Sequence, residues 1–278
     1  MIERENARCE YLQFEQLVDV ANVVHGIFTR RGGYSQHPYT GLNVSVTTGD
    51  NVEHVRLNRT AITEVLGLPL VWSRPVHGNR IAVIDREFVE GYGQEKPWHE
   101  RLRGIEADAM VTDQSGFVML WGFGDCAPVL LTDPRHGVVA LVHAGWRGAA
   151  SAIVLRAVET LRERFGTQPA DLLAGVGPSI GSCCYRVDDA VCATFAAVPF
   201  AWETAAFVER PDEEGHPAIY LDVAETSYRQ LRAVGVPSER IEISGYCTGC
   251  RTDLFYSHRR EPKPSGRFAA GIGLRATH

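Results

Sequence analysis

The chain has 278 residues, of which 45% are hydrophobic and 22% are charged. This composition is typical of folded soluble domains and excludes disordered, collagen-like and coiled-coil proteins. With 28 Lys and Arg against 34 Asp and Glu, the net charge is -6. That charge repels a phosphate backbone, so we expect no nucleic-acid partner. No apolar run approaches the roughly 18 residues of a membrane span, and the N-terminus lacks the order of a signal peptide, which predicts a cytoplasmic protein with no membrane partner.

Strand-like apolar runs alternate with helical patterns, and no internal repeat or Pro/Gly/Ser-rich linker divides the chain. A single domain over residues 1–278 is therefore predicted. The predicted strands, in chain order, are Val24–Thr29, Arg80–Ile84, Phe117–Phe123, Val129–Thr132, Val138–Ala144, Leu172–Val176, Ile241–Ser244 and Phe268–Leu274. The predicted helices are Val55–Leu66, Ser151–Phe165, Asp188–Ala197 and Val223–Ala233.

The pattern predicts an α/β (α+β) fold in which layered mixed β-sheets are covered by helices, as an alpha-beta-beta-alpha sandwich. The clearest helix is Ser151–Phe165, where Ser151 is expected to cap the start and Gly166 the end. Two stretches without apolar periodicity, 91–104 and 210–217, are interpreted as surface excursions.

Polar residues follow two neighbouring apolar strands in the segment 106–148. Asp125 and Cys126 lie between two of the predicted strands, and His143 is at the end of the next one. A thiol and an imidazole are therefore expected to meet at one sheet edge. His77, beside a flexible Gly-Asn turn, either projects into a cleft or is an ordinary surface or core histidine.

Two glycine-containing segments are candidates for binding an anion. The turn Gly145–Gly148 feeds a helix, whose free N–H groups could hold an anion with the help of Arg147; alternatively the glycines only permit a tight turn. The segment Thr29–Ser35, which contains Arg30 and is followed by Asn43, either cradles a phosphate or carboxylate or is a solvated hairpin loop.

The seven cysteines are odd in number and unevenly spread, which favours free thiols, metal ligands or a nucleophile over a disulfide framework. Cys247 and Cys250 form a Cys-x-x-Cys motif, and Cys183 and Cys184 are adjacent. A structural zinc needs two further ligands at matching spacing, which a vicinal pair does not usually supply, so buried thiols are the expected state.

Taken together and in order, these motifs resemble the laccase-domain family, formerly called multicopper polyphenol oxidoreductases. The resemblance covers nearly the whole chain. It rests on His25-Gly26, Thr29-Arg30-x-Gly32-Gly33-x-Ser35, Leu42-Asn43, Asn58-Arg59, Val76-His77-Gly78, Ala107-Asp108-Ala109, Asp125-Cys126-Ala127-Pro128, His143-Ala144-Gly145-Trp146-Arg147-Gly148, Gly177-Pro178, Cys183-Cys184-Tyr185, Cys247-Thr248-x-Cys250 and Phe255-Tyr256-Ser257-x-Arg259-Arg260. The chain departs from the family pattern at Gly122-Phe123-Gly124, Pro75 and Ser179, which leaves substrate preference open.

The resemblance implies a zinc-dependent purine nucleoside phosphorylase acting on adenosine, inosine, guanosine and methylthioadenosine, with adenosine deaminase activity. Some bacterial members are called peptidoglycan editing factors. The family's metal ligands fall on His77, Cys126 and His143, which implies one zinc ion per chain with an open fourth position. Purine nucleosides and inorganic phosphate are the implied partners.

The two reactions require different groups. For deamination a carboxylate must move a proton while water attacks C6 of adenine, and Asp125 and Glu106 are the candidates. Asp125 is equally well placed to orient its neighbours. For phosphorolysis, cations must hold phosphate, which Arg30, Arg59 and Arg147 are expected to do, while Asn43 binds ribose or base.

Two competing enzyme functions remain open from the residues, a purely structural or adaptor role is the non-enzymatic alternative, and the resemblance adds a peptidoglycan-precursor editing enzyme. In a metal-free cysteine hydrolase, Cys126 is the nucleophile and His143 its base. A multicopper oxidase is a weaker interpretation, because three or four copper ions need about ten His or Cys ligands in tight pairs and the sequence has no His-x-His.

Overall fold

Two six-stranded sheets form the centre of the fold. The computed structural model describes residues 1–90 and 102–276. The first sheet, in the order β1-β2-β3-β15-β7-β4, contains β1 (Ile2–Glu5), β2 (Cys9–Gln13), β3 (Val23–Gly32), β4 (Leu70–Val71), β7 (Phe117–Phe123) and β15 (Phe268–Leu274). The second, in the order β14-β10-β8-β9-β6-β5, contains β5 (Ile81–Ile84), β6 (Ala109–Thr112), β8 (Ala127–Asp133), β9 (Val138–Ala144), β10 (Leu173–Val176) and β14 (Ile241–Ile243).

A small third sheet and the helices complete the described part of the chain. The third sheet has the order β11-β13-β12 and contains β11 (Arg186–Val187), β12 (Phe207–Pro211) and β13 (Pro217–Leu221). The α-helices are α1 (Glu15–Val18), α2 (Val52–Leu66), α3 (Arg86–Glu90), α4 (Trp146–Ala150), α5 (Ile153–Phe165), α6 (Asp189–Ala196), α7 (Pro199–Thr204) and α8 (Val223–Ala233).

The two large sheets pack face to face because alternate residues of their strands are apolar on the inner side. On β7 and β15 the inward residues are aromatic or aliphatic and belong to the central core cluster, which also contains residues of β8 and β9. These residues are Phe117, Met119, Trp121, Phe123, Phe268, Ala270, Ile272, Leu274, Leu130, Val139 and Leu141. The other residues of the same strands face the outer layers.

Helices cover both outer faces. Ala61 and Ile62 of α2 pack with Val118 and Leu120 of β7 on the first sheet. On the second sheet, α5 packs against β9 and α8 packs against β8, and the residues of both strands are all buried. The observed architecture confirms the α/β sandwich of two mixed sheets between helices. It also explains why β8 and β9 are almost entirely apolar, since they are covered on both faces.

The eight predicted strands and four predicted helices are all present, with boundaries shifted by a few residues. The predicted cap at Ser151 is wrong. The helix α5 begins at Ile153 after Ala152, which has a φ of 55°, and Ser151 instead follows the short helix α4. Gly166 ends α5 in the left-handed conformation, as predicted.

The segment 210–217 is a surface excursion, as interpreted: it is the exposed tip of the β-hairpin made by β12 and β13, with residues 212–216 forming the turn. The outer strand β12 is largely exposed and so lacks the apolar alternation that reveals a half-buried strand. The other predicted excursion, 91–104, lies outside the described residues except at 102–104. No helix of the described residues is long and apolar enough to cross a membrane.

His25 of β3 is a buried, uncharged histidine that supports the junction of β2 and α1. Its ring is 1% exposed, and Nε2 accepts a hydrogen bond of 2.9 Å from the backbone N–H of Phe14. Burial lowers the pKa of His25 from 6.5 to about 4. Protonation of Nε2 would remove the acceptor and place a charge in the core.

We therefore expect acid to destabilise the fold through His25. Because the folded-state pKa lies below the unfolded-state value, the stabilisation is complete above about pH 6.5 and is lost as the pH falls to about 4. The loss is about 3 kcal/mol of unfolding free energy. His25→Gln, which keeps an acceptor, should show a smaller decrease than the wild type between these pH values in denaturant titrations. An equal decrease in both proteins contradicts the assignment, and His216→Gln, at an exposed site, is the matched control.

Candidate functional site

Strand pairing brings Cys126 and His143 together. Cys126 lies where the chain leaves β7 of the first sheet and enters β8 of the second. In the β8–β9 register, Ala127 pairs with Ala144 and Pro128 pairs with His143, so the thiol lies beside the end of β9. His77 comes from the loop between β4 and β5, and its ring centroid is 5.0 Å from that of His143.

The ligand atoms of His77, Cys126 and His143 all lie within 4.8 Å of one another. We call these residues the three-ligand group. The structure thus brings together the residues on which the resemblance places the family's metal ligands.

A buried carboxylate positions two members of the three-ligand group. Asp108 is 0% exposed, and it accepts backbone hydrogen bonds of 3.0, 2.7 and 2.8 Å from Val76, His77 and Gly78. These bonds hold His77 at a φ of 59°, a conformation that costs of order 1–3 kcal/mol in a non-glycine residue. Asp108 Oδ1 also lies 3.6 Å from Nδ1 of His143, an ion-pair distance longer than a hydrogen bond.

Gly145 leaves the space that the Cys126 sulfur occupies. A Cβ atom added at this residue would lie 2.7 Å from Cys126 Sγ and 3.8 Å from Cδ2 of His77. Every larger residue therefore collides with the thiol, which gives the glycine a packing role distinct from turn formation.

The three-ligand group favours a thiolate. Burial raises the pKa of the Cys126 thiol, but His143 and His77 have the opposite and larger effect, so the net shift is downward. Burial lowers the pKa of His143, and the neighbouring Cys126 and Asp108 outweigh it, so that pKa is raised. The deprotonated sulfur is the form that ligates metals and attacks electrophiles.

The donor set suits zinc. Two imidazoles and one thiolate bind Zn²⁺ at about 2.0–2.3 Å, and three protein ligands leave a fourth position for water or substrate, as in catalytic zinc sites. Nδ1 of His143 is buried without a hydrogen-bond partner among the described residues, and its nearby carboxylate is the usual companion of a metal-binding histidine.

The three-ligand group lines a cavity of about 840 Å³, within the usual range for small-molecule sites. Its walls are aromatic, aliphatic and strongly cationic. Trp72, Trp121, Trp146 and Tyr185 contribute aromatic surface, and the arginines are Arg59, Arg74, Arg103, Arg147, Arg259 and Arg267.

Two of the arginines stack on one aromatic ring. The guanidinium carbons of Arg59 and Arg103 each lie 4.3 Å from the centroid of Trp72. Burial, with a further contribution from Arg103, lowers the pKa of Arg59 to about 10. No carboxylate of residues 1–90 or 102–276 forms an ion pair with either arginine, so an anion bound between them would relieve their repulsion.

The predicted substrate-binding residues separate into two pairs. Arg59 and Arg147 line the cavity, whereas Arg30 and Asn43 do not. Arg30 forms an ion pair of 2.5 Å with Glu261 and stacks on Tyr256. Asn43 is buried, where its amide donates to Asp50 at 2.8 Å and its oxygen accepts from the Arg267 N–H.

The two predicted proton-transfer carboxylates also differ. Asp125 lines the cavity, but its carboxylate accepts hydrogen bonds of 2.6 Å from Thr248, 2.7 Å from Ser257 and 2.7 Å from the Arg259 N–H. Glu106 is outside the cavity lining and pairs with Arg74 and Arg80. Both carboxylates are therefore engaged in holding the protein's own segments together.

Sequence reasoning missed Asp108, Arg103 and Arg267. Asp108 was visible only as part of a motif, and its position two residues after Glu106 gives no sign that it accepts three N–H groups more than 30 residues away in the chain. Arg267 packs directly against Gly122, because a Cβ atom added at Gly122 would lie 2.9 Å from the Cβ atom of Arg267. The glycines at 122 and 124 are thus matched to this arginine in the cavity wall.

Comparison with known proteins identifies the family. Residues 24–275 match the family described as multi-copper polyphenol oxidoreductase laccase, and the chain belongs to this family. A purine nucleoside phosphorylase YlmD from Geobacillus stearothermophilus is 35% identical over 264 residues, covering 92% of this chain and 91% of that protein. A purine nucleoside phosphorylase from Bacteroides thetaiotaomicron is 33% identical and covers 94% and 95%.

Solved structures share the fold. The crystal structure of YlmD from Geobacillus stearothermophilus superposes with a TM-score of 0.84 at 32% identity, covering 99% of each chain. A hypothetical protein YfiH from Bacillus licheniformis gives a TM-score of 0.82 at 31% identity, covering 98% of this chain and 99% of the other.

Asp108→Asn tests the positioning of the three-ligand group. An amide can replace only part of the carboxylate, since its NH₂ cannot accept from an N–H. We expect a lower melting temperature and a zinc affinity reduced about 10–100-fold, as for other partners of metal ligands. Chelator competition and thermal unfolding measure the two effects. Asp113→Asn, at an exposed site, is the control, and unchanged zinc affinity in Asp108→Asn would rule out the role.

Proposed function

We propose that the chain is a zinc-dependent purine nucleoside phosphorylase, with adenosine deaminase activity at the same site. The observation that carries the proposal is the three-ligand group at the wall of a cavity in which Arg59, Arg103 and Arg147 form no ion pair with a carboxylate of the described residues. The names of the curated relatives support the substrate class. Adenosine, inosine, guanosine and methylthioadenosine are the proposed nucleosides.

His77, Cys126 and His143 would hold the zinc ion. When bound, the ion supplies Lewis acidity toward the purine or a water molecule. Asp108 keeps the His77 loop in its left-handed conformation, and Gly145 leaves space for the sulfur. One zinc ion at this group is proposed. A multicopper set is disfavoured, because among the described residues the groups that could hold a metal ion are this three-ligand group and one group of four cysteines, fewer than the about ten ligands that three or four copper ions need.

In phosphorolysis, the C1′–N9 bond of the nucleoside breaks and a bond from C1′ to a phosphate oxygen forms. Positive charge develops on the ribose and negative charge on the departing purine, which takes up a proton. Arg59 and Arg103 are proposed to hold phosphate, with Arg147 as a third cation. Trp72 supplies the flat apolar surface on which the first two stack.

In deamination, water replaces the amino group at C6 of adenine. Asp125 adjoins a metal ligand, but its three hydrogen-bond donors make it a positioning residue in our proposal. Glu106 is excluded from the proposal because its carboxylate is outside the cavity. Arg30 and Asn43 are also left out, since both are engaged in structural contacts.

A metal-free cysteine hydrolase is the second candidate, because the pKa of Cys126 is lowered and that of His143 is raised. Asp108 beside His143 completes the order of a nucleophile, a base and an orienting carboxylate. The second imidazole, His77, has no role in that chemistry. Metal dependence separates the two candidates.

His77→Ala tests the proposal. The purified wild-type protein should cleave inosine only when phosphate is present and lose activity after chelation. The variant should lose the zinc ion of this group and at least about 100-fold in kcat/KM. Zinc content, hypoxanthine release and ribose 1-phosphate formation are measured together. Activity that survives complete zinc removal and requires Cys126 would favour the hydrolase, and His54→Ala is a control on α2.

Arg59→Ala tests the phosphate site. Removal of one charge-assisted contact of about 1.5–3 kcal/mol should raise the KM for phosphate about 10–100-fold. The KM for inosine should change much less. Steady-state kinetics with varied phosphate give both values. The matched control is Arg56→Ala, one turn earlier on α2 and paired with Glu53. An unchanged phosphate KM in Arg59→Ala would remove this residue from the phosphate site.

A further inference from the structure

Four cysteines that lie far apart in the sequence meet at a second place in the fold. Cys183 and Cys184 follow β10, and Cys247 and Cys250 follow β14, which pairs with β10 in parallel. Beyond the two strands the segments stay together through a bridge between Ser179 and Cys247. We call these residues the four-cysteine group.

The expectation of separate buried thiols is wrong for this group. Cys183 and Cys250 are exposed, and the other two are half-buried. The vicinal pair lacked the usual second Cys-x-x-Cys spacing, but a vicinal pair can direct both sulfurs to one point when its chain turns sharply. Such a turn is present, because the N–H groups of Cys184 and Tyr185 both donate to the carbonyl of Gly181 at 3.0 Å.

The sulfur positions fit one tetrahedral ion. All four Sγ atoms lie within 4.8 Å of one another, and Cys250 Sγ is 3.4 Å from that of Cys183 and 3.5 Å from that of Cys184. Four sulfurs at about 2.3 Å from a tetrahedral zinc ion are about 3.8 Å apart. A disulfide requires about 2.05 Å, so neither short pair is bonded.

The surroundings are shaped to receive the sulfurs. Gly249, inside the Cys-x-x-Cys motif, has no room for a side chain, because an added Cβ would lie 2.9 Å from Cys184 Cβ and 3.0 Å from its sulfur. The N–H of Gly181 donates to Cys247 Sγ at 3.3 Å.

We propose that the four-cysteine group binds a second zinc ion, in a closed structural site. All four positions of the tetrahedron are filled by protein sulfur, so no position remains for substrate. Tetrahedral coordination by four sulfurs is typical of zinc. The thiols lose their protons on binding, and the ion takes their place between the sulfurs.

The second zinc ion stabilises one wall of the cavity. Thr248, between Cys247 and Cys250, donates to Asp125, which adjoins Cys126. Ile180 and Tyr185, on either side of the vicinal pair, line the cavity directly. The ion therefore fixes two loops that carry cavity residues, although it takes no part in the reaction.

Zinc content of five proteins tests the inference independently of the proposed function. Each full-length chain is purified from zinc-supplied cells without chelator. We expect about two zinc ions per wild-type chain, one in Cys250→Ser, one in His77→Ala and none in the double variant. Cys192→Ser, a cysteine on α6 outside both groups, should keep two. If the wild type holds one zinc ion and Cys250→Ser retains it, the inference is overturned. If zinc is lost in Cys250→Ser but not in His77→Ala, the inference is supported and zinc binding by the three-ligand group is contradicted.

A second measurement applies if Cys250→Ser does not fold. Cobalt-substituted His77→Ala should keep an intense sulfur-to-cobalt charge-transfer band with tetrahedral ligand-field bands. Thiol titration of the denatured protein without reductant should count all seven cysteines. Absence of the cobalt bands overturns the inference, and so does a thiol count lowered by a disulfide within the four-cysteine group.

Discussion

The geometry of the candidate site depends on one buried carboxylate. Asp108 has no contact with solvent, and its charge is balanced by three backbone N–H groups and the ring of His143. A buried carboxylate without such donors would be destabilising. The sequence 76–78 therefore folds around it in the one conformation that supplies all three donors. The left-handed φ of His77 is a consequence of this requirement, and the imidazole reaches the other two ligands because the loop is held there.

The sandwich supplies the second constraint. β7 belongs to one sheet and β8 to the other, so the chain must cross the core between Phe123 and Ala127. Asp125, with a φ of 85°, makes this crossing. Its carboxylate is held by Thr248, Ser257 and the Arg259 N–H, which come from distant segments. The thiol of Cys126 thus emerges at a fixed point where both sheets and two loops meet.

Much of the fold was predictable because burial determines the pattern of apolar residues along the chain. β8 and β9, covered on both faces, are almost continuous apolar runs, and α5 has apolar residues at helical spacing on its buried face. The exposed β12 has no such pattern. Strand ends predicted a thiol and an imidazole at one edge, but the motif resemblance was needed to add His77. The role of Asp108 was not predictable, because its donors are backbone groups, which carry no sequence signal. The partner of Arg30 was not predictable for a related reason: a cationic loop looks the same whether its partner is a ligand or Glu261.

The cavity wall is cationic, although the net charge of the whole chain is -6. Positive charge is nevertheless concentrated in this wall, at Arg59, Arg103, Arg147, Arg259 and Arg267. No carboxylate of the described residues forms an ion pair with the first three. Repulsion between these guanidinium groups favours opening of the loops that carry them, so the surrounding scaffold must be rigid to hold them together. Asp108 and Asp125 provide rigidity from inside the fold by collecting donors from separate segments. The zinc ion that we propose at the four-cysteine group adds rigidity at a second place. It fixes the segment that contains Thr248, whose hydroxyl donates to Asp125.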